Sequence, residues 1–234
     1  HNKHLIVIIQ YPVKAKFMKI IGIIPSRYAS TRLPGKPLKE ISGKPMIWWV
    51  YKHTKESKKL DDVFVATDDD RISNYCKSVD IKCVMTGEHD NHISRIHEVS
   101  TIIDADIYVS VNGDEPLIGG DTIDSAIVND MIIDKPCFYG SVRKLTNPAE
   151  VMDPTNIKIA TNRNNRCVYI SRAPIPFPYG TTSFFYKKYV GIECFNKLAL
   201  QAYVDTKKEE LEFVEDIDHL RFLEIGVPMY FNEI

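Results

Sequence analysis

Long hydrophobic runs and an excess charge of either sign are both missing from this sequence. The longest purely aliphatic run, Leu5 to Ile9, is far shorter than the ~20 residues of a spanning helix or the ~7–15 residues of a signal-peptide core. Thirty Lys and Arg residues balance thirty-one Asp and Glu residues to a net charge of −1, so no general basic field attracts nucleic acid or an anionic membrane. We therefore expect a soluble protein without a nucleic-acid or membrane partner.

Cysteine is scarce and scattered along the 234 residues. The five cysteines form no C-x-x-C pair and no cysteine–histidine pair at zinc spacing: Cys76, Cys83, Cys137, Cys167 and Cys194. None is flanked by an obvious base, which disfavours a catalytic thiol. The odd number and the scatter predict free thiols in a reducing cytoplasm rather than a disulfide framework.

Strand and helix patterns alternate through the first half of the chain. Met18 to Pro25 is a short apolar run that ends at proline, which predicts a strand buried on both faces of a sheet. Further strands are predicted at 62–67, 81–85 and 106–111, and helices at 44–57, 71–79 and 93–103. This alternation predicts an α/β fold with a mostly parallel, Rossmann-like sheet and helices on both faces.

After residue 133 the predicted strands follow one another with few helices between them. They lie at 136–143, 157–160, 167–171 and 188–195, and two helices at 196–204 and 211–225 precede a last strand at 227–231. This pattern predicts a smaller antiparallel lobe laid on the first half. Extended strands and a proline-rich loop in that lobe favour a homodimer surface, because closed twofold symmetry is the common outcome.

The loop from Pro25 to Pro37 follows the first predicted strand directly, where open α/β sheets bind ligands. It contains three cations among hydroxyl groups and a glycine: Arg27, Arg32 and Lys36 with Ser30, Thr31 and Gly35. A triphosphate can be bound by the bidentate donors of the two arginines, by the compact charge of the lysine, and by the hydroxyls and the accessible backbone of the loop. The loop is neither G-x-G-x-x-G nor a P-loop, which disfavours a dinucleotide fold and an ordinary P-loop ATPase. The alternative is a solvated basic turn.

An acidic pair follows the predicted strand DIYVSV, in the stretch Asn112-Gly113-Asp114-Glu115-Pro116. It is expected at the same carboxyl edge of the sheet as the cationic loop. Nucleotidyl transfer requires positioning and charge neutralisation, and Mg²⁺ commonly takes one or two carboxylates together with substrate oxygens and waters. The two stretches together therefore favour a Mg²⁺-dependent nucleotide site. The alternative is a plain turn, which a glycine, an aspartate and a proline also favour.

The motif IPSRYASTRLPGKPL resembles the nucleotide-binding signature of the CMP-sugar-acid synthetases, and most closely that of the 3-deoxy-manno-octulosonate (Kdo) cytidylyltransferase family. The similarity continues through GKPMI, VATD, MT, NGDEP and SRAPIP, from about Met18 to Val227. It implies a cytoplasmic enzyme that uses Mg²⁺ to transfer CMP from CTP to the anomeric hydroxyl of a 2-keto sugar acid. Pyrophosphate is released, and the product supplies cell-surface polysaccharide synthesis.

The resemblance also implies roles for individual residues. The catalytic residues are Arg32, Lys36 and Asp114, with Asp114 as the metal ligand. CTP is bound by Ser26, Arg27, Ser30, Arg32, Lys36 and Asn112, and the acidic sugar acceptor by Arg95, Arg172 and Glu212. In this assignment residues 18–133 are the nucleotide-binding half and residues 134–234 the acceptor-binding and dimerisation half of one domain. Residues 1–17 are an extra edge segment or a leader.

Some of these residues have ordinary structural alternatives. Arg172 is alternatively an exposed loop arginine with no partner. Glu212 and Glu215 precede DHLR, which matches the family's E-Q-L-R, and this alignment favours contacts with sugar hydroxyls. The alternative is that both residues lie on a plain amphipathic helix whose apolar stripe is Phe213, Ile217 and Leu220. Three histidines near Arg95 fit no common metal motif and are expected to be polar surface or pocket groups: His89, His92 and His97.

The chain departs from the family pattern in three places. The family's H-x-S-G-T-[ED]-R is HDNHISR here, its V-Q-G-D-E-P is VNGDEP, and its G-[VT]-D-T-x-x-D stretch with a second metal-binding aspartate does not occur before Ile234. We therefore expect intact CTP recognition, an altered acceptor site, and a need for high Mg²⁺. Kdo or a modified Kdo is the leading acceptor. The alternatives are another acid, such as a nonulosonic acid or a phosphonate, or a nucleotide-binding paralogue with little turnover.

Overall fold

A computed structural model describes residues 18–29 and 33–234 of the chain. The segment 1–17 and the loop residues 30–32 lie outside the described residues, so the predictions for Ser30, Thr31 and Arg32 have no structural counterpart here.

Four parallel strands form one half of the sheet, and its central strands are buried on both faces. They are β1 (Ile20–Pro25), β4 (Asp62–Thr67), β5 (Cys83–Met85) and β6 (Ile107–Val111). Strand β1 is central, because it pairs in parallel with β4 on one side and with β6 on the other. Five consecutive buried residues in β1 and five in β6 explain why these strands appear in the sequence as continuous apolar runs.

The strands of the second half extend this same sheet. They are β7 (Phe138–Leu145), β8 (Lys158–Thr161), β9 (Cys167–Ser171), β10 (Tyr186–Asn196) and β11 (Met229–Glu233). Strand β10 pairs antiparallel with both β6 and β7, which gives the order β11-β7-β10-β6-β1-β4-β5, with β8 and β9 attached to β10. The predicted fold class is confirmed, and its antiparallel part is joined to the parallel part edge to edge through β10.

Helices cover both faces of the sheet. They are α1 (Met46–Lys55), α2 (Asp70–Ser78), α3 (His92–Ile102), α4 (Gly120–Ala126), α5 (Pro148–Met152), α6 (Lys197–Val204), α7 (Glu210–Glu215) and α8 (Leu220–Glu224). A short hairpin, β2 (Glu40–Ile41) and β3 (Lys44–Pro45), precedes α1. Alternate residues of β1 face two separate cores: Ile20 and Ile24 pack with α1, α2 and α4, and Ile21 and Ile23 with α3, α6 and α8. No described helix has the length and apolarity to cross a membrane.

The single helix predicted at 211–225 is wrong, because the chain breaks into α7 and α8. Asp216 adopts a left-handed conformation with φ 51°, which ends α7 and which aspartate tolerates better than most residues. The predicted apolar stripe is also wrong at one position, since Phe213 is 75% exposed while Ile217 and Leu220 are buried. The break turns the chain so that His219 faces the sheet, where it contacts Glu193 of β10.

Candidate active site

Two cavities share one wall at the carboxyl edge of the parallel strands. The larger has a volume of about 540 Å³ and the smaller about 230 Å³. The shared lining residues are Pro25, Ser26, Arg27 and His92. The larger cavity is completed by Leu33, Lys36, Pro37, Asn112, Gly113 and Asp114, and the smaller by His89, Asp90, Asn91, Arg95 and Asp218. The cationic loop and the acidic stretch predicted from the sequence therefore meet in one site.

The loop after β1 is fixed at both of its described ends. The Ser26 amide donates to the Ala66 carbonyl oxygen at 2.8 Å, which extends the contact between β1 and β4 by one residue. At the other end, Gly35 has φ 68° and its amide donates to the Tyr28 carbonyl oxygen at 2.9 Å. A Cβ at Gly35 would lie 2.9 Å from the Tyr28 ring, so glycine is required there for both the turn and the close contact.

Lys36 and Asp114 form the contact that joins the two predicted clusters. Lys36 Nζ donates to Asp114 Oδ2 at 2.8 Å, and the two side chains are 35% and 50% exposed. An ion pair this exposed contributes little to stability. Its importance lies in the placement of a cation and a carboxylate side by side in the larger cavity, as nucleotide phosphates and a metal ion together require.

Asn112 is held at the end of β6 by a neighbour that the sequence analysis did not identify. Its amide donates to the Gly191 carbonyl oxygen at 3.3 Å, and its side chain donates to Glu115 Oε1 at 3.3 Å. A Cβ built on Gly191 would lie 1.8 Å from Asn112 Nδ2. Gly191 is therefore required for the position of Asn112, and no local sequence signal marks it, because the two residues lie on different strands.

Arg95 lines the smaller cavity but is strongly engaged by the protein itself. Its guanidinium donates to Thr86 Oγ1 at 2.5 Å and to Asp68 Oδ2 at 3.0 Å, and the side chain is only 4% exposed. These contacts hold α3 against the loops that follow β4 and β5. The acceptor contact predicted for Arg95 stays a prediction.

Arg172 lies outside both cavities and is bound to the α7–α8 break. Its guanidinium donates to the carbonyl oxygens of Pro154, Glu215 and Asp216 at 3.1, 2.7 and 2.8 Å. The alternative of an arginine with no partner is therefore wrong. The Glu215 carboxylate in turn accepts from the Ser171 hydroxyl and from the Arg172 amide, so it is a structural link rather than a free group on a plain helix.

Glu212 also lies outside the two cavities. It is 1% exposed, and both of its carboxylate oxygens accept from the Arg221 guanidinium, at 2.7 and 2.8 Å. Contact with an acceptor hydroxyl would require this buried pair to open. The acceptor roles predicted for Arg172 and Glu212 stay predictions, and the geometry gives each residue a structural role instead.

His92 and His219 converge on one buried carboxylate, which the sequence analysis missed. His92 Nε2 lies 2.8 Å from Glu193 Oε2, and His219 Nε2 lies 2.8 Å from Glu193 Oε1. Burial alone would raise the pKa of Glu193, but the charges of the two imidazoles hold it far below its ordinary range. Burial alone would lower the pKa of His92, but the negative charge of Glu193 has the larger effect, so the pKa of His92 is raised. Of the other histidines near Arg95 in the sequence, His89 contacts Glu98 and His97 contacts Gln201.

Asp114 suits a hard cation that is bound jointly with a nucleotide. Its carboxylate is half exposed in the larger cavity, and oxygen is the ligand that Mg²⁺ prefers. Within residues 18–29 and 33–234, the one group of three or more neighbouring metal-ligating side chains is that of His92, Glu193 and His219, so Asp114 belongs to no such group there. Phosphate oxygens and waters commonly complete the coordination of Mg²⁺ beside one or two carboxylates.

Residues 21–231 match a family model described as cytidylyltransferase. The chain is 39% identical over 212 residues to a 3-deoxy-manno-octulosonate cytidylyltransferase of Fusobacterium nucleatum, with 89% of this chain and 86% of that protein covered. It is 35% identical over 219 residues to an 8-amino-3,8-dideoxy-manno-octulosonate cytidylyltransferase of Shewanella pealeana, with 89% and 87% covered.

The fold is also similar to that of a solved structure. This is a CMP:2-keto-3-deoxy-manno-octonic acid synthetase complexed with CTP, which matches with a TM-score of 0.87 and 33% sequence identity. The match covers 92% of this chain and 90% of that one.

Proposed function

The chain belongs to the cytidylyltransferase family, and we propose that it transfers CMP from CTP to the anomeric hydroxyl of Kdo, with release of pyrophosphate. The observation that carries this proposal is the pairing of Lys36 with Asp114 in the larger cavity. The pair provides a phosphate-binding cation and a metal-binding carboxylate in a chain that resembles a CTP-complexed synthetase along almost its whole length.

In the proposed reaction, the anomeric oxygen of the acceptor attacks the α-phosphorus of CTP. A new phosphorus–oxygen bond forms, the bond to the bridging oxygen of pyrophosphate breaks, and the hydroxyl proton is released. Negative charge accumulates on the pyrophosphate, so the main task of the protein is to position the two substrates and to neutralise this charge. We assign Lys36 and Arg27 to the triphosphate, and the Ser26 hydroxyl and the Asn112 amide to further contacts with CTP, because all four line the larger cavity.

We also propose Mg²⁺ as the cofactor, held by Asp114 and by phosphate oxygens. When bound, the ion supplies positive charge next to the reacting phosphate. Lys36 can then turn from Asp114 toward the triphosphate, since its side chain is long and one-third exposed. The pair seen in the structure thus keeps both groups in place before the substrates bind.

For the acceptor we propose the smaller cavity. Arg27 lines both cavities, so its guanidinium can donate to the acceptor carboxylate as well as to the triphosphate, and Asn91 provides a donor for a hydroxyl. A second candidate acceptor is 8-amino-Kdo, the substrate named for the Shewanella relative. The observation that favours it is a pair of carboxylates, Asp90 and Asp218, in the lining of the same cavity, because an ammonium group would be attracted to them.

The experiment is a pyrophosphate-release assay with CTP, Mg²⁺ and a panel of acids. The panel contains Kdo, 8-amino-Kdo, a nonulosonic acid and a phosphonate. We expect release with Kdo or 8-amino-Kdo that is at least tenfold faster than with the other acids. Equal release with all acids, or release only with a nonulosonic acid or a phosphonate, would contradict the proposed acceptor. No release with any acid would favour a nucleotide-binding protein with little turnover.

Two further properties are proposed with the activity. A homodimer is supported by an apolar groove of about 730 Å³, whose exposed aromatic side chains would be covered by a second copy: Phe177, Phe184 and Phe185. A cytoplasmic location is supported by the five cysteines, all of which are free. Sedimentation of the wild type and of Phe177→Ser would test the dimer, since the variant should shift toward the monomer.

A further inference from the structure

Three distant parts of the chain bring metal-ligating atoms together beside the smaller cavity. His92 opens α3, Glu193 lies in β10, and His219 lies in the turn before α8. One ligand atom from each lies within 4.8 Å of the other two. Both histidines also depart from the motifs that this chain otherwise resembles, since His92 replaces the glycine of H-x-S-G-T-[ED]-R and His219 replaces the glutamine of E-Q-L-R.

The spacing of these atoms fits the coordination sphere of one ion. Each histidine presents Nε2 at 2.8 Å from a different oxygen of Glu193. Two ligand atoms that lie about 2.05 Å from one metal ion and at right angles to each other are about 2.9 Å apart. The two histidine–carboxylate separations are close to this value, and all three ligand atoms lie within 4.8 Å of one another, so they can converge on one ion.

We propose that His92, Glu193 and His219 bind a divalent transition-metal ion. Two imidazoles and one carboxylate are a donor set that suits Zn²⁺, Co²⁺ or Fe²⁺, whereas an all-oxygen set would suit Mg²⁺. The site is therefore chemically distinct from Asp114, and it does not depend on the proposed transfer reaction.

The surroundings of the three ligands supply charge balance and orientation. Asp218 Oδ2 lies 4.0 Å from His92 Nδ1, on the ring nitrogen that points away from Glu193. Metal-binding histidines commonly direct their second nitrogen toward such a carboxylate. With two neutral imidazoles, the charges of Glu193 and Asp218 offset the two positive charges of the ion. The Tyr189 hydroxyl also donates to Glu193 Oε1 and so helps to hold this carboxylate in place.

Burial makes the site selective and limits exchange with solvent. The Glu193 side chain is 1% exposed and that of His219 is 8% exposed, whereas His92 is 26% exposed and lines both cavities. The ion would enter from the His92 side. Because the ligands come from three elements, the bound ion would also link α3, β10 and the turn before α8, so it should raise the thermal midpoint.

The experiment uses the full chain, stripped with a chelator and then loaded with Zn²⁺. We expect about one tightly held Zn²⁺ per chain by elemental analysis after desalting, with affinity measured by competition against a chromophoric chelator. His92→Gln and His219→Gln should each weaken Zn²⁺ binding about 100-fold. Co²⁺ loading should give visible absorption bands in the wild type that both variants lose.

Matched controls separate this site from other histidines and from Asp114. His97→Gln changes a histidine on the same helix whose ring contacts Gln201, and Asp114→Asn removes the proposed Mg²⁺ ligand; neither should alter Zn²⁺ content. Circular dichroism is the check that each variant is folded, and His92→Gln is the safer variant because His92 is the most exposed ligand. A wild type that retains no more Zn²⁺ than His92→Gln would overturn the proposal and leave the cluster as a hydrogen-bonded network. Such a result would not affect the pyrophosphate-release assay.

Discussion

Lys36 Nζ lies 2.8 Å from Asp114 Oδ2, although 78 residues separate them in the chain. Lys36 follows the loop after β1 and Asp114 follows β6, and these two strands are parallel neighbours in the sheet. The contact arises because the carboxyl ends of adjacent parallel strands lie at one edge. It places a cation beside a carboxylate in the larger cavity, which we propose as the CTP site.

The first prediction concerns Asp114→Asn. This change keeps the size of the side chain but removes the charge that would anchor Mg²⁺, so we expect kcat to fall at least about 100-fold. The free energy of unfolding should change by less than about 1 kcal/mol, because the ion pair with Lys36 is exposed. Steady-state kinetics and urea unfolding measure the two effects.

A control for that change is Asp104→Asn, which removes another exposed aspartate that faces a lysine, Lys197. It should leave kcat unchanged. Wild-type kcat in the Asp114→Asn enzyme at saturating Mg²⁺ would mean that the metal ion is held elsewhere.

The second prediction concerns Lys36→Met, which keeps much of the side-chain length but loses the charge. We expect CTP to bind about 10–100-fold more weakly, equivalent to about 1.4–2.8 kcal/mol, because one phosphate-binding cation is lost. Calorimetry with CTP measures this. Lys39→Met is the matched control, since Lys39 is exposed and directly follows the short 3₁₀ helix Lys36–Leu38. Equal CTP affinity in wild type and Lys36→Met would remove Lys36 from the site.

The third prediction concerns Gly191→Ala. The added Cβ would lie 1.8 Å from Asn112 Nδ2 and 3.1 Å from Glu115 Oε1, so the Asn112 side chain must move. We expect weaker CTP binding from a protein that remains folded, because the displaced atoms are side-chain ends in the cavity. Gly119→Ala is the control, since a Cβ there meets nothing within 4 Å. Unchanged CTP affinity in Gly191→Ala would show that the position of Asn112 is unimportant.

The fourth prediction concerns Glu212→Gln. Removal of this buried charge leaves the Arg221 guanidinium, which is 11% exposed, without its bidentate partner. We expect the free energy of unfolding to fall by about 3 kcal/mol. Glu210→Gln, an exposed change on the same helix, should have almost no effect. If Glu212→Gln raised the KM for the acceptor and left stability intact, the acceptor role predicted from the sequence would be favoured.

The fifth prediction concerns the pH dependence of stability through Asp124. Burial would raise the pKa of Asp124, but hydrogen bonds from the Ser57 hydroxyl and from the amides of Lys58 and Lys59 lower it below the ordinary 3.8. A lowered pKa in the folded state adds stability that is complete above pH 3.8 and is lost as the pH falls through the folded pKa. Asp124→Asn should therefore cost about 1–2 kcal/mol at pH 7 and much less near pH 3.

Urea unfolding at the two pH values measures this difference. Asp121→Asn is the control on the same helix, because Asp121 is exposed and no described residue donates to its carboxylate as Ser57, Lys58 and Lys59 do to Asp124. A penalty for Asp124→Asn that is the same at both pH values would contradict the ionic origin of the stabilisation.

The parallel half of the fold could be predicted because its central strands, β1 and β6, are buried on both faces and appear as continuous apolar runs. The predicted and observed bounds of β4 coincide at Asp62–Thr67, since the strand is flanked by charged and turn-forming residues. The region of α7 and α8 could not be predicted in the same way. The left-handed residue Asp216 and the inward turn of Glu212 depend on partners from other elements, Arg172 and Arg221, which no local periodicity reveals.

In the candidate site, too, one feature could be predicted from the sequence and another could not. The meeting of Lys36 with Asp114 follows from a topological rule and local motifs, so it could be expected from the sequence. The cluster around Glu193 could not, because Glu193 lies within an apolar stretch of β10 and its partners, His92 and His219, are 101 and 26 residues away. The sequence spacing of the histidines therefore contained no metal motif.

The most direct test of the central claim is mass spectrometry of the products formed by the full chain from CTP, Mg²⁺ and Kdo. The account predicts a species with the mass of CMP joined to Kdo, formed in equal amount with pyrophosphate and absent when Kdo or Mg²⁺ is omitted. Formation of only CMP, CDP or unchanged CTP, with Kdo left intact, would contradict it.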